Sequence, residues 1–243
     1  LCEEIGFKNE RISLISHLES LPQVISNMNI VILLKKEISS PETNLPLFGI
    51  SDNSFKTFSD RPNLQTKREI RIQLLADLEL PEIGTILDIG SGSGSIGLEA
   101  LRLRPKLKLI SIDKRVGSQC LVKENAKKLG VSPKKIIESD VKQFLNNDLH
   151  NSFSDSNRVV IGGCDKETKI EIIEAISKFL RKEDIVVLPI ITYEVLQEVS
   201  NCLRQFSFET SINLIQTFKG LSISEGTRFE PNNPVFIIKA KKK

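Results

Sequence analysis

The stretch TILDIGSGSGSIGLEALRLRP, residues 85–105, constrains the fold of this chain more than any other segment. An apolar run comes first, three glycines at alternate positions follow, and apolar residues at helical spacing come next. This order predicts a buried strand, a tight turn and a helix. Backbone N–H groups at the start of such a helix can bind a polar or anionic ligand, so the segment predicts a ligand-binding loop.

The glycines of this loop fit two patterns. Gly92, Gly94 and Gly97 match the G-x-G-x-x-G arrangement of dinucleotide-binding proteins, whereas Gly90, Gly92 and Gly94 match G-x-G-x-G. Asp88 favours the second pattern, because a carboxylate is unfavourable beside a pyrophosphate and favourable beside the ammonium or sulfonium group of S-adenosylmethionine. A nucleoside triphosphate is disfavoured because no Gly-Lys-Ser/Thr sequence follows.

Two further acidic residues end strand-like runs. Asp113 closes SID, 21 residues after Gly92, a spacing at which a carboxylate accepts hydrogen bonds from ribose hydroxyls. Asp140, in ESDV, ends the next run, where its side chain or the Val141 backbone can contact an adenine. Asp140 is equally a candidate helix N-cap. Acids at three successive strand ends, Asp88 included, favour S-adenosylmethionine as the cofactor.

From residue 84 onward, strand-like and helix-like runs alternate, which is typical of parallel strands with helices on both faces of a sheet. The last two strand-like runs, residues 209–218 and 233–241, have no helical run between them. We therefore expect them to be antiparallel neighbours. The sequence predicts an α/β fold with a mostly parallel seven-stranded sheet that ends in an antiparallel hairpin, unlike the all-parallel dinucleotide fold.

Residues 1–48 have a different pattern. Short apolar runs come first, and SSPETNLP, residues 39–46, is typical of a linker. A segment of this length is too short for a comfortable independent core, so it either docks on the following domain or belongs to something larger. We place the main domain at residues 49–243.

A helix is also expected immediately before the first strand of the sheet. Thr66 and Glu69 fit a capping box, and apolar residues follow at helical spacing. Lys67 and Arg68 are unusual in the first turn, because a helix N-terminus favours negative charge. They are either ordinary surface cations or groups that face an anionic substrate.

The composition disfavours several classes of protein. The net charge of +3 does not call for nucleic acid or a membrane surface, and no apolar run approaches the length of about 20 residues of a membrane span. The four cysteines include no C-x-x-C pair, and two distant histidines suggest no metal cluster. Base stacking on aromatic side chains is disfavoured, since the chain has no Trp and one Tyr.

Five segments, in the order TKREIR, LDIGSGSGSIGLEA, VVIGG, TYE and NPVFII, resemble the decarboxylating methyltransferases of cobalamin biosynthesis. The resemblance covers about residues 48–240. It implies a class I S-adenosylmethionine-dependent methyltransferase that methylates a precorrin at carbon 15 and removes carbon dioxide from the C-12 acetate chain. LCEEIGFKNERISLISHLESL, at the start, resembles the end of the partner carbon-5 methyltransferase, to which the carbon-15 enzyme is fused in many organisms. Residues 1–48 are then a remnant of that partner plus a linker, without carbon-5 activity.

The resemblance also implies cofactor contacts at Thr66, Gly90, Ser91, Gly92, Ser93, Gly94, Asp113 and Val141. From their positions at the ends of strand-like runs, Asp88, Asp140 and Gly162 are further candidate cofactor contacts. A precorrin carries many carboxylates, so cations at the mouth of the site are expected to bind it. The candidates are Lys67, Arg68, Arg71 and Arg228.

For catalysis, positioning is expected to be the main device, and no strong general base is required if the conjugated macrocycle supplies the electrons. The resemblance further implies a cytoplasmic homotetramer. Two alternatives remain open at this point, because a fold does not fix a substrate. One is a class I methyltransferase that acts on RNA or another small molecule, and the other is a non-catalytic scaffold that binds the cofactor.

Overall fold

The computed structural model describes residues 1–15, 21–32, 44–61, 65–147, 149–153 and 156–243. The chain divides into two compact units, Leu1–Ile38 and Ser39–Lys243. The linker predicted at residues 39–46 lies mostly outside the described residues. None of the helices in the described ranges has both the length and the apolar character that a membrane span requires.

The first unit contains a small antiparallel sheet whose strands, in spatial order, are β2 (Arg11–Ile12), β1 (Cys2–Glu3) and β3 (Asn29–Ile30). The buried Glu3 carboxylate accepts hydrogen bonds from the Arg11 guanidinium at 2.7 and 2.9 Å and from the Ser26 N–H at 2.8 Å. Strands this short pair through few backbone groups, so this side-chain network adds to their stability.

The second unit alternates helices and strands for most of its length. Its helices are α1 (Arg68–Asp77), α2 (Ser95–Leu103), α3 (Ser118–Leu129), α4 (Val141–Asn147), α5 (Lys166–Ser177) and α6 (Tyr193–Gln205). Its strands are β4 (Gly84–Ile89), β5 (Leu107–Asp113), β6 (Lys135–Glu138), β7 (Asn157–Ile161), β8 (Ile185–Ile190), β9 (Phe208–Ile215), β10 (Phe218–Ile223), β11 (Gly226–Pro231) and β12 (Val235–Lys242). Short 3-10 turns lie at Asp52–Ser54 and Leu149–Ser152.

Seven of these strands form the main sheet, in the order β6-β5-β4-β7-β8-β12-β9. The pairs β4–β5, β5–β6, β4–β7 and β7–β8 are parallel, whereas β12 is antiparallel to both β8 and β9. The chain therefore starts in the middle of the sheet, runs outward through β5 and β6, and returns to the other side of β4 through β7. This reversal is a topological switch point, where α/β folds bind ligands.

Apolar side chains cover both faces of the sheet. One cluster packs α1, α2 and α3 on one face through residues such as Leu74, Leu98 and Val122. The other packs α4, α5 and α6 on the opposite face through residues such as Phe144 and Ile172. Burial on both faces explains why a central strand such as β8, IVVLPI, is continuously apolar.

The predicted mostly parallel seven-stranded sheet with antiparallel final strands is confirmed. The sequence pattern did not indicate a second hairpin, β10–β11, which follows β9 and precedes β12 in the chain and forms its own two-stranded sheet. Every residue of both strands is exposed, so these strands do not show the alternation of a half-buried strand. The expected run at 209–218 is in fact two strands, with β9 ending at Ile215 and β10 beginning at Phe218.

Candidate active site

The site lies at the carboxyl ends of β4 and β7, the two adjacent strands of the switch point. The loop after β4, residues 90–94, carries the glycines. The loop after β7, residues 162–164, is Gly162-Gly163-Cys164. We refer to them as the glycine loop and the β7 loop. Parallel strands bring these two loops to one edge of the sheet, so the fold places them side by side.

The structure shows which of the two glycine patterns forms the loop. Gly90, Gly92 and Gly94 have φ values of +71°, +55° and +74°, whereas Gly97 lies within α2 and packs on the Leu109 side chain. A Cβ at Gly90 would stand 2.8 Å from the Gly163 nitrogen, so both its conformation and its surroundings require glycine. A Cβ at Gly92 would meet no atom within 4 Å, so a ligand can approach the backbone there.

Asp113, at the end of β5, is attached directly to the glycine loop. Its Oδ2 accepts a hydrogen bond from the Gly92 N–H at 2.7 Å, and its Oδ1 accepts one from the Arg115 N–H at 2.9 Å. Next to it, the Ser111 hydroxyl donates to the Ser91 hydroxyl at 2.7 Å. The carboxylate is thus held in a fixed orientation, and its remaining lone pairs can accept hydrogen bonds from a ligand.

Asp88 lies beneath the glycine loop. Its side chain is 1% exposed, and its Oδ2 accepts a hydrogen bond from the Gly97 N–H at 3.1 Å. Burial raises the pKa of Asp88 to about 7. The hydrogen bond from Gly97 lowers this pKa, and the negative charge of Asp113 raises it further. Asp88 therefore binds the first turn of α2, and this hydrogen bond stabilises the helix start that follows the glycine loop. Its predicted contact with a cofactor ammonium stays a prediction.

The β7 loop is folded tightly against the glycine loop. The Gly162 N–H donates to the Ile89 carbonyl at 2.7 Å, and the Cys164 N–H donates back to the Gly162 carbonyl at 2.7 Å. A Cβ at Gly162 would stand 2.9 Å from the Gly90 carbonyl oxygen. The glycines of the two loops therefore permit an approach that side chains would prevent.

Asp140 acts as the N-cap of α4. Its Oδ1 accepts a hydrogen bond from the Lys142 N–H at 2.8 Å, and its carbonyl accepts from Gln143 and Phe144. The N-cap alternative is therefore confirmed. Val141 begins the helix with a buried side chain, and its contact with an adenine stays a prediction.

The capping box predicted at Thr66 and Glu69 is wrong. Helix α1 begins at Arg68, its N-cap is Lys67, and no side-chain hydrogen bond caps it. The helix starts one residue later than the pattern implies, and the Thr66 carbonyl accepts a hydrogen bond from the Arg71 guanidinium at 2.8 Å. Thr66 therefore stands just outside the helix, and its contact with the cofactor stays a prediction.

The structure also corrects the prediction that Arg71 is a cation for the substrate. Arg71 is 0% exposed, and its guanidinium donates to Glu99 at 2.7 Å and to Asp52 at 3.0 Å. It also donates to the carbonyls of Thr66 and Ile50. These hydrogen bonds engage all three guanidinium nitrogens inside the protein, so Arg71 is structural.

The segment at residues 49–58 is anchored by two buried polar residues that the sequence analysis did not single out. Glu99 accepts hydrogen bonds from the N–H groups of Gly49 and Ile50. Asn125 exchanges hydrogen bonds with the Lys56 backbone at 2.8 and 3.0 Å and donates to the Ser93 carbonyl at 2.9 Å. Asn125 therefore ties this segment to the glycine loop.

The remaining candidate substrate cations lie in two places. Lys67 and Arg68 are at the start of α1, and the Arg68 Nε donates to the Gly49 carbonyl at 2.6 Å. Arg228 lies on β11, exposed and ion-paired with Glu230. The structure thus joins the glycine loop, Asp88, Asp113 and Gly162 through direct contacts, and places Arg228 on the separate hairpin.

Comparison with known proteins identifies the family. The model of the precorrin methyltransferase domain matches residues 57–242. The chain belongs to the precorrin methyltransferase family. The matched range contains both loops, the three acids Asp88, Asp113 and Asp140, and α1.

Individual members of the family support this assignment. The chain is 30% identical over 203 residues to a probable cobalt-precorrin-6B C(15)-methyltransferase (decarboxylating) of Saccharolobus solfataricus, covering 83% of this chain and 99% of that protein. A crystal structure of precorrin-6Y C5,15-methyltransferase from Geobacter metallireducens has 28% identity and a TM-score of 0.70, covering 82% of this chain and 100% of that one. The precorrin 8W decarboxylase of Methanobacterium thermoautotrophicum shares the fold at 23% identity, with a TM-score of 0.68 and coverages of 79% and 98%.

Proposed function

We propose that this chain transfers a methyl group from S-adenosylmethionine to carbon 15 of a precorrin and removes carbon dioxide from the C-12 acetate chain, in cobalamin biosynthesis. The observation that carries the proposal is the attachment of Asp113 to the Gly92 N–H at the switch point of a precorrin methyltransferase domain. The names of the relatives, probable cobalt-precorrin-6B C(15)-methyltransferases (decarboxylating), support the reaction at carbon 15 and the decarboxylation.

The residues of the site fit S-adenosylmethionine. The open backbone at Gly92 gives a ligand room beside a carboxylate that is oriented for ribose hydroxyls. The residues that we propose to hold the cofactor, in addition to the glycine loop from Gly90 to Gly94, are Thr66, Asp88, Asp113, Asp140, Val141 and Gly162. When bound, S-adenosylmethionine supplies an electrophilic methyl group on a sulfonium.

The chain's own part in the reaction is to bind the cofactor and the precorrin and to orient them relative to each other. The interlocked loops fix the position of the cofactor relative to the macrocycle, and Lys67, Arg68 and Arg228 attract the carboxylates of the substrate. Neither task requires a general base, because the conjugated macrocycle supplies the electrons for methylation. When carbon dioxide leaves, the electrons of the broken carbon–carbon bond return to the same conjugated system, and the former acetate carbon takes up a proton from water to become a methyl group.

We further propose that the protein is a cytoplasmic homotetramer, as the sequence resemblance implies. Exposed apolar side chains on β10 and β11 support self-association, namely Phe218, Leu221, Ile223 and Phe229. Apolar residues grouped on an exposed hairpin mark contact surfaces in many proteins. Residues 1–48 are proposed to be related to the end of a carbon-5 methyltransferase domain and to carry no carbon-5 activity.

Mass spectrometry tests the function directly. The chain is incubated with S-adenosylmethionine and cobalt-free or cobalt-containing precorrin that has an unmethylated carbon 15 and an intact C-12 acetate. The proposal expects a product that has gained one methyl group and lost one carbon dioxide. Binding of S-adenosylmethionine without any change in mass would refute the proposed reaction and favour another substrate or a non-catalytic scaffold.

Two variants test which residues bind the cofactor and which bind the precorrin. Asp113→Asn should weaken S-adenosylmethionine binding by about tenfold, because a carboxylate accepts hydrogen bonds more strongly than an amide. The double variant Lys67→Ala/Arg68→Ala should raise KM for the precorrin and leave cofactor binding unchanged. A matched control, Lys123→Ala/Lys127→Ala on the exposed side of α3, removes the same charge. An equal rise of KM in both double variants would contradict a specific role for Lys67 and Arg68.

A further inference from the structure

Lys169 is a buried lysine close to the proposed active site. It lies in α5 and is 5% exposed. Its Nζ donates a hydrogen bond to the Gly162 carbonyl at 2.9 Å and a second one to the Cys164 carbonyl. Burial of an ammonium group is unfavourable unless hydrogen bonds compensate for the lost water. The two carbonyls of the β7 loop provide that compensation, so the lysine and the loop depend on each other.

The loop that Lys169 binds also contacts the glycine loop. Its Gly162 N–H donates to the Ile89 carbonyl, directly before the glycine loop, and Gly90 approaches Gly163 closely enough to exclude a side chain at Gly90. A displacement of the β7 loop would therefore also displace the glycine loop at the carboxyl ends of β4 and β7. The ammonium group bonds to both ends of the three-residue loop and so restricts this movement.

We propose that Lys169 is a positioning residue for methyl transfer, which holds the β7 loop at a fixed place beside the cofactor through its two carbonyl contacts. The proposal rests on the proposed function for the identity of the reaction. Among the described residues, the Lys169 ammonium donates its hydrogen bonds to backbone carbonyls of the β7 loop, and we assign it no proton transfer. A displacement of about 1 Å in such a loop can lower a rate about 100-fold without changing which ligands bind.

The test compares Lys169→Met, Lys169→Arg and Lys169→Gln with wild type. A matched control is Lys166→Met, which removes a lysine from the first turn of the same helix, where it pairs at the surface with Glu198. Calorimetry with S-adenosylmethionine gives the dissociation constant and the number of competent sites. Steady-state kinetics with the precorrin then give kcat per competent site and KM.

For Lys169→Met we expect kcat per competent site to fall about 10- to 100-fold, with the dissociation constant for S-adenosylmethionine within about threefold of wild type. Lys169→Arg should recover part of the rate, because a guanidinium can donate to both carbonyls. Lys166→Met should match wild type. A purely structural role would reduce the number of competent sites and leave the rate per site intact, and that result would overturn the proposal.

Hydrogen–deuterium exchange separates this proposal from the proposed function. The amides of Gly162 and Cys164 should exchange at least about fivefold faster in Lys169→Met than in wild type or Lys166→Met, because their loop is released. If wild type binds S-adenosylmethionine but does not convert the precorrin, the proposed function fails and the exchange rates alone decide the role of Lys169. Unchanged exchange would overturn the proposal. If Lys169→Met does not fold, Lys169→Gln supplies the same comparison.

Discussion

Replacing Arg71 with methionine distinguishes the structural role of this residue from the one that the sequence suggested. The guanidinium is fully buried between the carboxylates of Glu99 and Asp52, and its Cζ lies 4.8 Å from the centre of the Phe55 ring. Methionine fills a similar volume but supplies no charge and no donor. Arg71→Met therefore leaves the Glu99 carboxylate buried with only the Gly49 and Ile50 N–H groups as described donors.

The expected cost follows from this geometry. Removing one member of a buried ion pair destabilises a protein by about 3–5 kcal/mol, because the remaining charge is left uncompensated. The whole free energy of unfolding of a domain is about 5–15 kcal/mol, so the variant should still fold but with a smaller free energy of unfolding. At an m-value of about 2 kcal/mol per molar urea, the unfolding midpoint should fall by about 2 M.

Urea unfolding followed by circular dichroism measures this shift. The double variant Arg71→Met/Glu99→Gln should be more stable than Arg71→Met alone, because the uncompensated charge is gone while an acceptor for Gly49 and Ile50 remains. Lys106→Met, which breaks the exposed pair with Glu82, should leave the midpoint unchanged. A midpoint shift below about 0.5 M for Arg71→Met, combined with a raised KM for the precorrin, would refute the buried-pair reasoning.

Three further predictions concern the loops. Because burial raises the pKa of Asp88 to about 7, the folded chain retains a proton that the unfolded chain releases near its ordinary pKa of 3.8. The free energy of unfolding should therefore fall as the pH rises from about 4 to about 7. In urea unfolding over that range, Asp88→Asn should not show this fall. Gly90→Ala should abolish S-adenosylmethionine binding in calorimetry, because its Cβ would meet the Gly163 nitrogen at 2.8 Å; retained affinity would contradict this. Asp165→Ala removes the N-cap acceptor of Thr168, at 2.8 Å, and should cost about 1 kcal/mol in thermal unfolding, with an unchanged midpoint counting against the cap.

The sequence by itself determined the parts of this protein that depend on near neighbours along the chain. The G-x-G-x-G pattern indicated the glycine loop, since left-handed backbone at Gly90 and Gly94 follows from local residue type. Alternating strand-like and helix-like runs gave the parallel sheet, because short crossovers permit few arrangements. The sequence also indicated that Asp113 closes a strand of this sheet, but its hydrogen bond with the Gly92 N–H is known only from the structure.

The tertiary structure alone decided which groups the buried charged residues contact. Arg71 and Lys169 each stand three, four and seven residues before apolar core residues that lie in the same helix or at its C-cap. This spacing places both on the buried stripe. That spacing was a signal for burial, but it does not identify a partner. Arg71 meets Glu99 from a different helix, 28 residues away, and Lys169 meets carbonyls at the end of a strand. Such contacts form only when the sheet brings distant segments together, because a charge is stable inside the protein only beside groups that replace its water.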